Sequence, residues 1–125
     1  MHASVQKLVC YPLQEKAITG LTIICNILYV TRKLSRIIIG YDLTTFVAKL
    51  EFPVTGLSNP SDVKGRGHND LCIFDMKSHD ERKEIIIFDL SSKAIQRRWS
   101  TGDDYGSISV TDEGNVILTI RKKIN

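Results

Sequence analysis

The chain has 125 residues, 42% of them hydrophobic and 25% charged, with a formal net charge of +3. That length holds one domain at most, and that balance excludes a disordered chain, a collagen-like chain and a disulfide-rich miniprotein. No run reaches the ~18–20 apolar residues of a membrane helix, because Ile18 to Val30 is interrupted by Gly20, Thr22 and Asn26.

Taken in chain order, the predicted elements are all strands. Met1 to Lys7 lacks the charged and apolar regions of a signal peptide. Val5–Val9 reads as a lone outer strand. Four strands follow near Leu21–Cys25, Ile27–Thr31, Ile37–Tyr41 and Val47–Leu50. Four more fall near Ser61–Lys64, Leu71–Asp75, Glu84–Asp89 and Ala94–Trp99, and a final pair near Ser107–Thr111 and Val116–Ile120. Ile37-Ile38-Ile39 and Ile85-Ile86-Ile87-Phe88 are β-branched and aromatic runs bounded by turn residues. Ser107 to Thr111 alternates polar and apolar, as a half-buried strand does, and Asp112-Glu113-Gly114-Asn115 supplies a hairpin loop. No segment holds a 3.6-residue apolar period, so helix is expected to be near zero.

The strands repeat. Ile39-Gly40-Tyr41-Asp42-Leu43 returns as Ile86-Ile87-Phe88-Asp89-Leu90, 47 residues later. Asn26-Ile27-Leu28-Tyr29-Val30 returns as Asn69-Asp70-Leu71-Cys72-Ile73, 43 later, and again as Gly114-Asn115-Val116-Ile117-Leu118, another 45 on. Val5-Gln6-Lys7-Leu8 matches Val47-Ala48-Lys49-Leu50 and, more loosely, Ile95-Gln96-Arg97-Arg98; Gly20-Leu21 matches Gly56-Leu57. Four strands in about 45 residues is the period of a β-propeller blade. The expected fold is therefore all-β, with blades of four antiparallel strands. Residues 1–15 form a blade end, 16–53 and 54–101 two blades, and 102–125 a half-blade. At about two and three-quarter blades this is fewer than a closed ring of about 4–8. A fragment of a larger propeller, or a protomer that self-associates through open blade faces, is expected. An ordinary two-layer sandwich is the minor alternative.

Leu28-Tyr29-Val30-Thr31, followed by Ile39 to Thr45 and Val47, resembles the YVTN-type propeller repeat. Gly56-Leu57-Ser58-Asn59-Pro60 is similar to the blade opening of YVTN and NHL propellers. The resemblance reaches from Val5 to Ile120. The Trp-Asp pair of WD repeats is missing, since Ser100 follows Trp99. The resemblance implies a platform for a protein partner and, as the NHL alternative, an RNA-binding surface. A lactonase-type hydrolase, with a metal at the propeller axis, is the second alternative.

The residues themselves give little chemistry. Asp42 and Asp89 fall at matching strand ends and read as turn acceptors rather than a shared acid pair. His68, Asp70, Asp75, His79 and Asp80 match no metal-ligand spacing. Ser4, Ser107 and Ser109 sit in no nucleophile elbow. Gly65-Arg66-Gly67 lacks the glycines of a phosphate loop and reads as a hairpin turn. Cys10, Cys25 and Cys72, without a Cys-x-x-Cys pair, argue against a disulfide framework and a zinc site, and for a reducing, cytoplasmic compartment. The expectation is a non-enzymatic scaffold with no cofactor, no metal and no membrane contact. Its candidate interaction surface is Arg32, Lys33 and Arg36 in one turn, Arg97 and Arg98 beside Trp99, and Asp103, Asp104 and Tyr105 in another. The RNA alternative expects salt-sensitive binding that depends on Arg97 and Arg98.

Overall fold

A short run of consecutive apolar residues is stable as a strand only when both of its faces are covered. Ile38, Ile39 and Tyr41 are buried in this way, as are Ile85, Ile86, Ile87 and Phe88. The computed structural model describes residues 17–77, 83–101 and 105–120. Within it, β1 (Ile18–Ile24), β2 (Ile27–Arg32), β3 (Ile37–Asp42) and β4 (Ala48–Pro53) form sheet A in chain order. Sheet B is β5 (Pro60–Arg66), β6 (Asp70–Asp75), β7 (Lys83–Asp89) and β8 (Ala94–Thr101). Sheet C pairs β9 (Tyr105–Val110) with β10 (Val116–Ile120). All neighbouring strands are antiparallel. There is no helix among the described residues. The expected strand Val5–Val9 lies outside them.

β1 packs against β5, and β5 against β9. The first strand of each sheet is thus innermost, and the later strands fan outward. This is the up-and-down order of propeller blades. The bulges repeat as well. β1 slips register at Thr19, β5 at Ser61 and β9 at Gly106, always near the start of the innermost strand. β4 slips at Lys49 and β8 at Gln96, 47 residues apart. A bulge increases local twist, so each blade is bent at the same places.

These landmarks correct three details of the repeat. Lys49 aligns with Gln96, so Ala48 corresponds to Ile95, one residue off the match drawn from Val47. Gly20 lies in β1, where a Cβ would come within 2.8 Å of Val63 N on β5. Gly56 lies in the linker between sheets, so the two glycines are not equivalent. Gly65 and Arg66 belong to β5, and the turn is Gly67 to Asn69.

Sheets A and B enclose the larger core. Tyr29, Ile38, Phe52, Leu71, Ile73, Ile86 and Phe88 are among its members, and the Phe52 and Phe88 rings stack with centroids 5.0 Å apart. The linker between these sheets is fastened by Asp75, fully buried at the end of β6. Its carboxylate accepts from Ser58 N (3.1 Å) and Asn59 N (2.8 Å) and lies 3.5 Å from Lys77 Nζ. On the face of sheet A turned away from B, Leu28, Val30, Ile39 and Tyr41 are buried, while Leu21 and Ile23 are exposed. Among the described residues, sheets B and C share a smaller core of Cys72, Phe74, Ile85, Ile87 and Ile108. Sheet C leaves Ser109 and Ile117 exposed.

A candidate interaction cleft between sheets B and C

Strand alternation sends neighbouring residues of β8 to opposite faces. Arg97 pairs with Ile87 and Trp99 with Ile85, both members of the B/C core. Arg98 pairs with Ile86, a member of the A/B core. Arg98 accordingly turns toward the linker, donating to Thr55 O at 2.8 Å and lying 3.2 Å from Glu84 Oε1. Arg97 stays on the sheet C side, its guanidinium 5.3 Å from the centroid of the Trp99 ring. The two arginines expected to act together are therefore separated by the thickness of the sheet.

Arg97 shares a cavity with Arg66, which lies outside the expected interaction surface. Arg66 closes β5 and reaches across to the β9–β10 turn. Its Nε donates to Gly114 O at 2.7 Å and its Nη1 to Asp70 Oδ2 at 2.8 Å. The turn that receives it is held internally by Thr111 N to Asn115 O and Asn115 N to Thr111 Oγ1. Gly114 has φ +87°, a left-handed conformation that suits glycine. Arg66, Ile87, Arg97, Trp99, Gly114, Asn115 and Val116 line a cavity of about 250 Å³. Among the described residues its lining carries two guanidinium groups and no carboxylate. Among the described residues Arg97 has no acidic partner, whereas Arg66 has Asp70.

The other basic residues lie elsewhere. Arg32 ends β2, and Lys33 and Arg36 sit in the β2–β3 turn, at the opposite end of the blades from Arg66 and Gly114. That turn is tied into the stack. Lys33 N donates to Ala17 O, Val54 N to Arg36 O, and Leu34 N to Asn59 Oδ1. Asp103 and Asp104 lie outside the described residues, and Tyr105 opens β9.

The acidic candidates are committed to structure. Asp42 Oδ1 accepts from Thr44 N at 2.7 Å and Thr45 N at 3.3 Å. Asp89 Oδ1 accepts from Asn69 Nδ2 at 2.5 Å and from Ser91 N and Ser92 N. Both carboxyls are held below the ordinary range, Asp42 chiefly by the Thr44 N–H and Asp89 chiefly by the Asn69 amide. They are turn acceptors, as the sequence implies. His68 is exposed in the β5–β6 turn, and His79 and Asp80 lie outside the described residues. No three metal-ligating side chains converge among the described residues. The Cys72 thiol is buried, and burial pushes its pKa up to about 12.

No known protein family matches this sequence, and no curated protein does. Among solved structures, the chain is similar to the β-propeller domain of Cps50 (Swd1) from Myceliophteria thermophila, with a TM-score of 0.48 and 11% identity. The likeness covers 86% of this chain and 50% of that one, so the chain spans about half the length of that structure.

Proposed function

We propose that this chain is a non-enzymatic blade stack that binds other proteins, a scaffold of the YVTN/NHL kind working in the reducing cytoplasm. The cleft between sheets B and C carries this reading. Arginine and tryptophan concentrate binding energy at protein interfaces. Here both project from one strand, and a site built on strands is held more firmly than one built on loops. The volume of about 250 Å³ falls below the ~300–1,000 Å³ of small-molecule pockets. It suits one or two side chains of a partner. Asp42, Asp75 and Asp89 spend their lone pairs on backbone and amide N–H groups, and Cys72 is buried and held as a thiol. That supports a binding role over acid–base or nucleophilic chemistry.

RNA binding is the second reading, favoured by the two arginines beside a tryptophan. Against it, the Arg97 guanidinium occupies a ring face on which a base would stack. Arg98, required by the RNA reading, is committed to Thr55 and Glu84. A selection of displayed random peptides on the full chain, repeated on Arg97→Glu, tests the scaffold. Related peptides retained by the parent and lost by the variant are expected. A selection that enriches nothing would overturn the proposal.

A further inference from the structure

We infer that the cleft receives the carboxylate side chain of an acidic peptide segment; this names the partner chemistry and rests on the scaffold reading above. Three observations meet here. The first is charge. Among the described residues two guanidiniums line the cavity and no carboxylate does. Among the described residues Arg97 is balanced by the Trp99 ring alone. The second is preorganisation. Arg66 is fixed at Nε by Gly114 O and at Nη1 by Asp70, which leaves Nη2 to donate. Arg97 lies along Trp99. A ligand therefore orders little that is not already ordered, which is where much of the cost of association falls. Ile87, Val116 and the Trp99 ring provide an apolar wall for the ligand's methylenes.

The third observation selects the anion. Asp70 already offsets one of the two arginines. Gln96 Nε2 lies 3.4 Å from both Asp70 Oδ1 and Asp89 Oδ2, so Asp89 stands one side chain beyond the Asp70 that holds Arg66. The cleft is thus suited to a single negative charge. A carboxylate satisfies a guanidinium with two parallel hydrogen bonds. A phosphate dianion would place a second charge on the bound group, against Asp70, whereas each side chain of an acidic peptide offers one.

Trp99 is the only tryptophan in the chain, so its emission reports the cleft directly. The full chain is titrated with hexaglutamate, hexaglutamine and hexauridylate. Saturable change with hexaglutamate is expected, at an affinity at least about tenfold above that for hexaglutamine, the size of one charge-assisted hydrogen-bonded pair. Arg97→Gln should remove that advantage and Arg97→Lys should recover part of it. Equal affinity for the two peptides, or an advantage that survives in Arg97→Gln, would overturn the inference. In that event peptides selected by display would still bind, and the scaffold reading would stand. Tighter binding of hexauridylate than of hexaglutamate, again dependent on Arg97, would overturn both. So would a chain that binds neither these probes nor any displayed peptide.

Discussion

The two joints of the stack are built alike and finished differently. Between sheets A and B, a stacked Phe52–Phe88 pair fills the core and Asp75 fastens the linker over its edge. Among the described residues the core between sheets B and C is smaller, and its outer edge is the Arg66–Arg97–Trp99 cleft. The same β8 strand serves both, with Arg98 closing one joint and Arg97 bordering the other. One strand thus closes one interface and borders a cavity at the other.

The largest effect should come from opening the closed joint. Phe88 is 1% exposed, and Phe88→Ala should cost about 4 kcal/mol, the combined loss of transfer energy and packing around a cavity. Asp75→Ala should follow at about 3 kcal/mol. It leaves the Ser58 and Asn59 N–H groups without their acceptor and Lys77 without one of its two carboxylates. Urea unfolding midpoints measure both. If Asp75→Ala proves neutral, the linker is held by its remaining bonds, Arg98 to Thr55 O, Lys77 to Gly56 O and Val54 N to Arg36 O among them, and the contrast between the joints loses one of its two supports.

The open joint should yield more cheaply. Ile108→Ala removes its buried contribution from sheet C, at about 2 kcal/mol, the low end for such truncations. Cys72 lies in that core and Cys25 is exposed, so alkylation follows the joint separately from global unfolding. Cys25 should react at once. Cys72, buried and held as a thiol up to a pKa of about 12, should react only when the B/C joint opens. Ile108→Ala should speed its labelling by about tenfold or more. An equal acceleration by Phe88→Ala at matched stability would mean the joints open as one unit.

What could be read from the sequence was local. Ile37 to Ile39 and Ile85 to Ile87 announce strands buried on both faces, because no half-exposed strand can carry such runs. Asp42 and Asp89 announce their turns, because the acceptor and its donors lie two and three residues apart. The cleft could not be read this way. It needs Arg66 to meet Gly114, 48 residues further on, and that contact is made by blade stacking. The only sequence signal for it is a basic residue placed about one repeat before a hairpin turn. Arg97 and Arg98 misled for the opposite reason, since neighbours in sequence read as one patch although alternation parts them. The repeat match slipped by one residue because Val47 and Ile95 are alike in apolar character, whereas the shared bulges at Lys49 and Gln96 align Ala48 with Ile95.

Sheets A and B can finally be compared through their matching β3–β4 and β7–β8 turns. Asp42 and Asp89 both ionise more readily in the folded chain than at the ordinary value of 3.8. The unfolded chain therefore binds more protons at acid pH. Their contribution is present in full above about pH 4 and is lost as pH falls through the depressed folded values. The causes differ. Asp42 has, beyond its backbone donors, the exposed Lys49 with Nζ 3.7 Å away. Asp89 has the neutral amides of Asn69 and Gln96. Salt at ~0.5 M shortens the screening length to a few ångströms and should weaken the Lys49 attraction while leaving the amide bonds in place. Acid unfolding of Asp42→Asn and Asp89→Asn, each at low and high salt, separates the two. Asp89→Asn should flatten the acid decline equally at both salts, and Asp42→Asn less at high salt. A matching salt response would mean that Lys49 contributes nothing at this turn, and that Asp42 is held by its backbone donors alone.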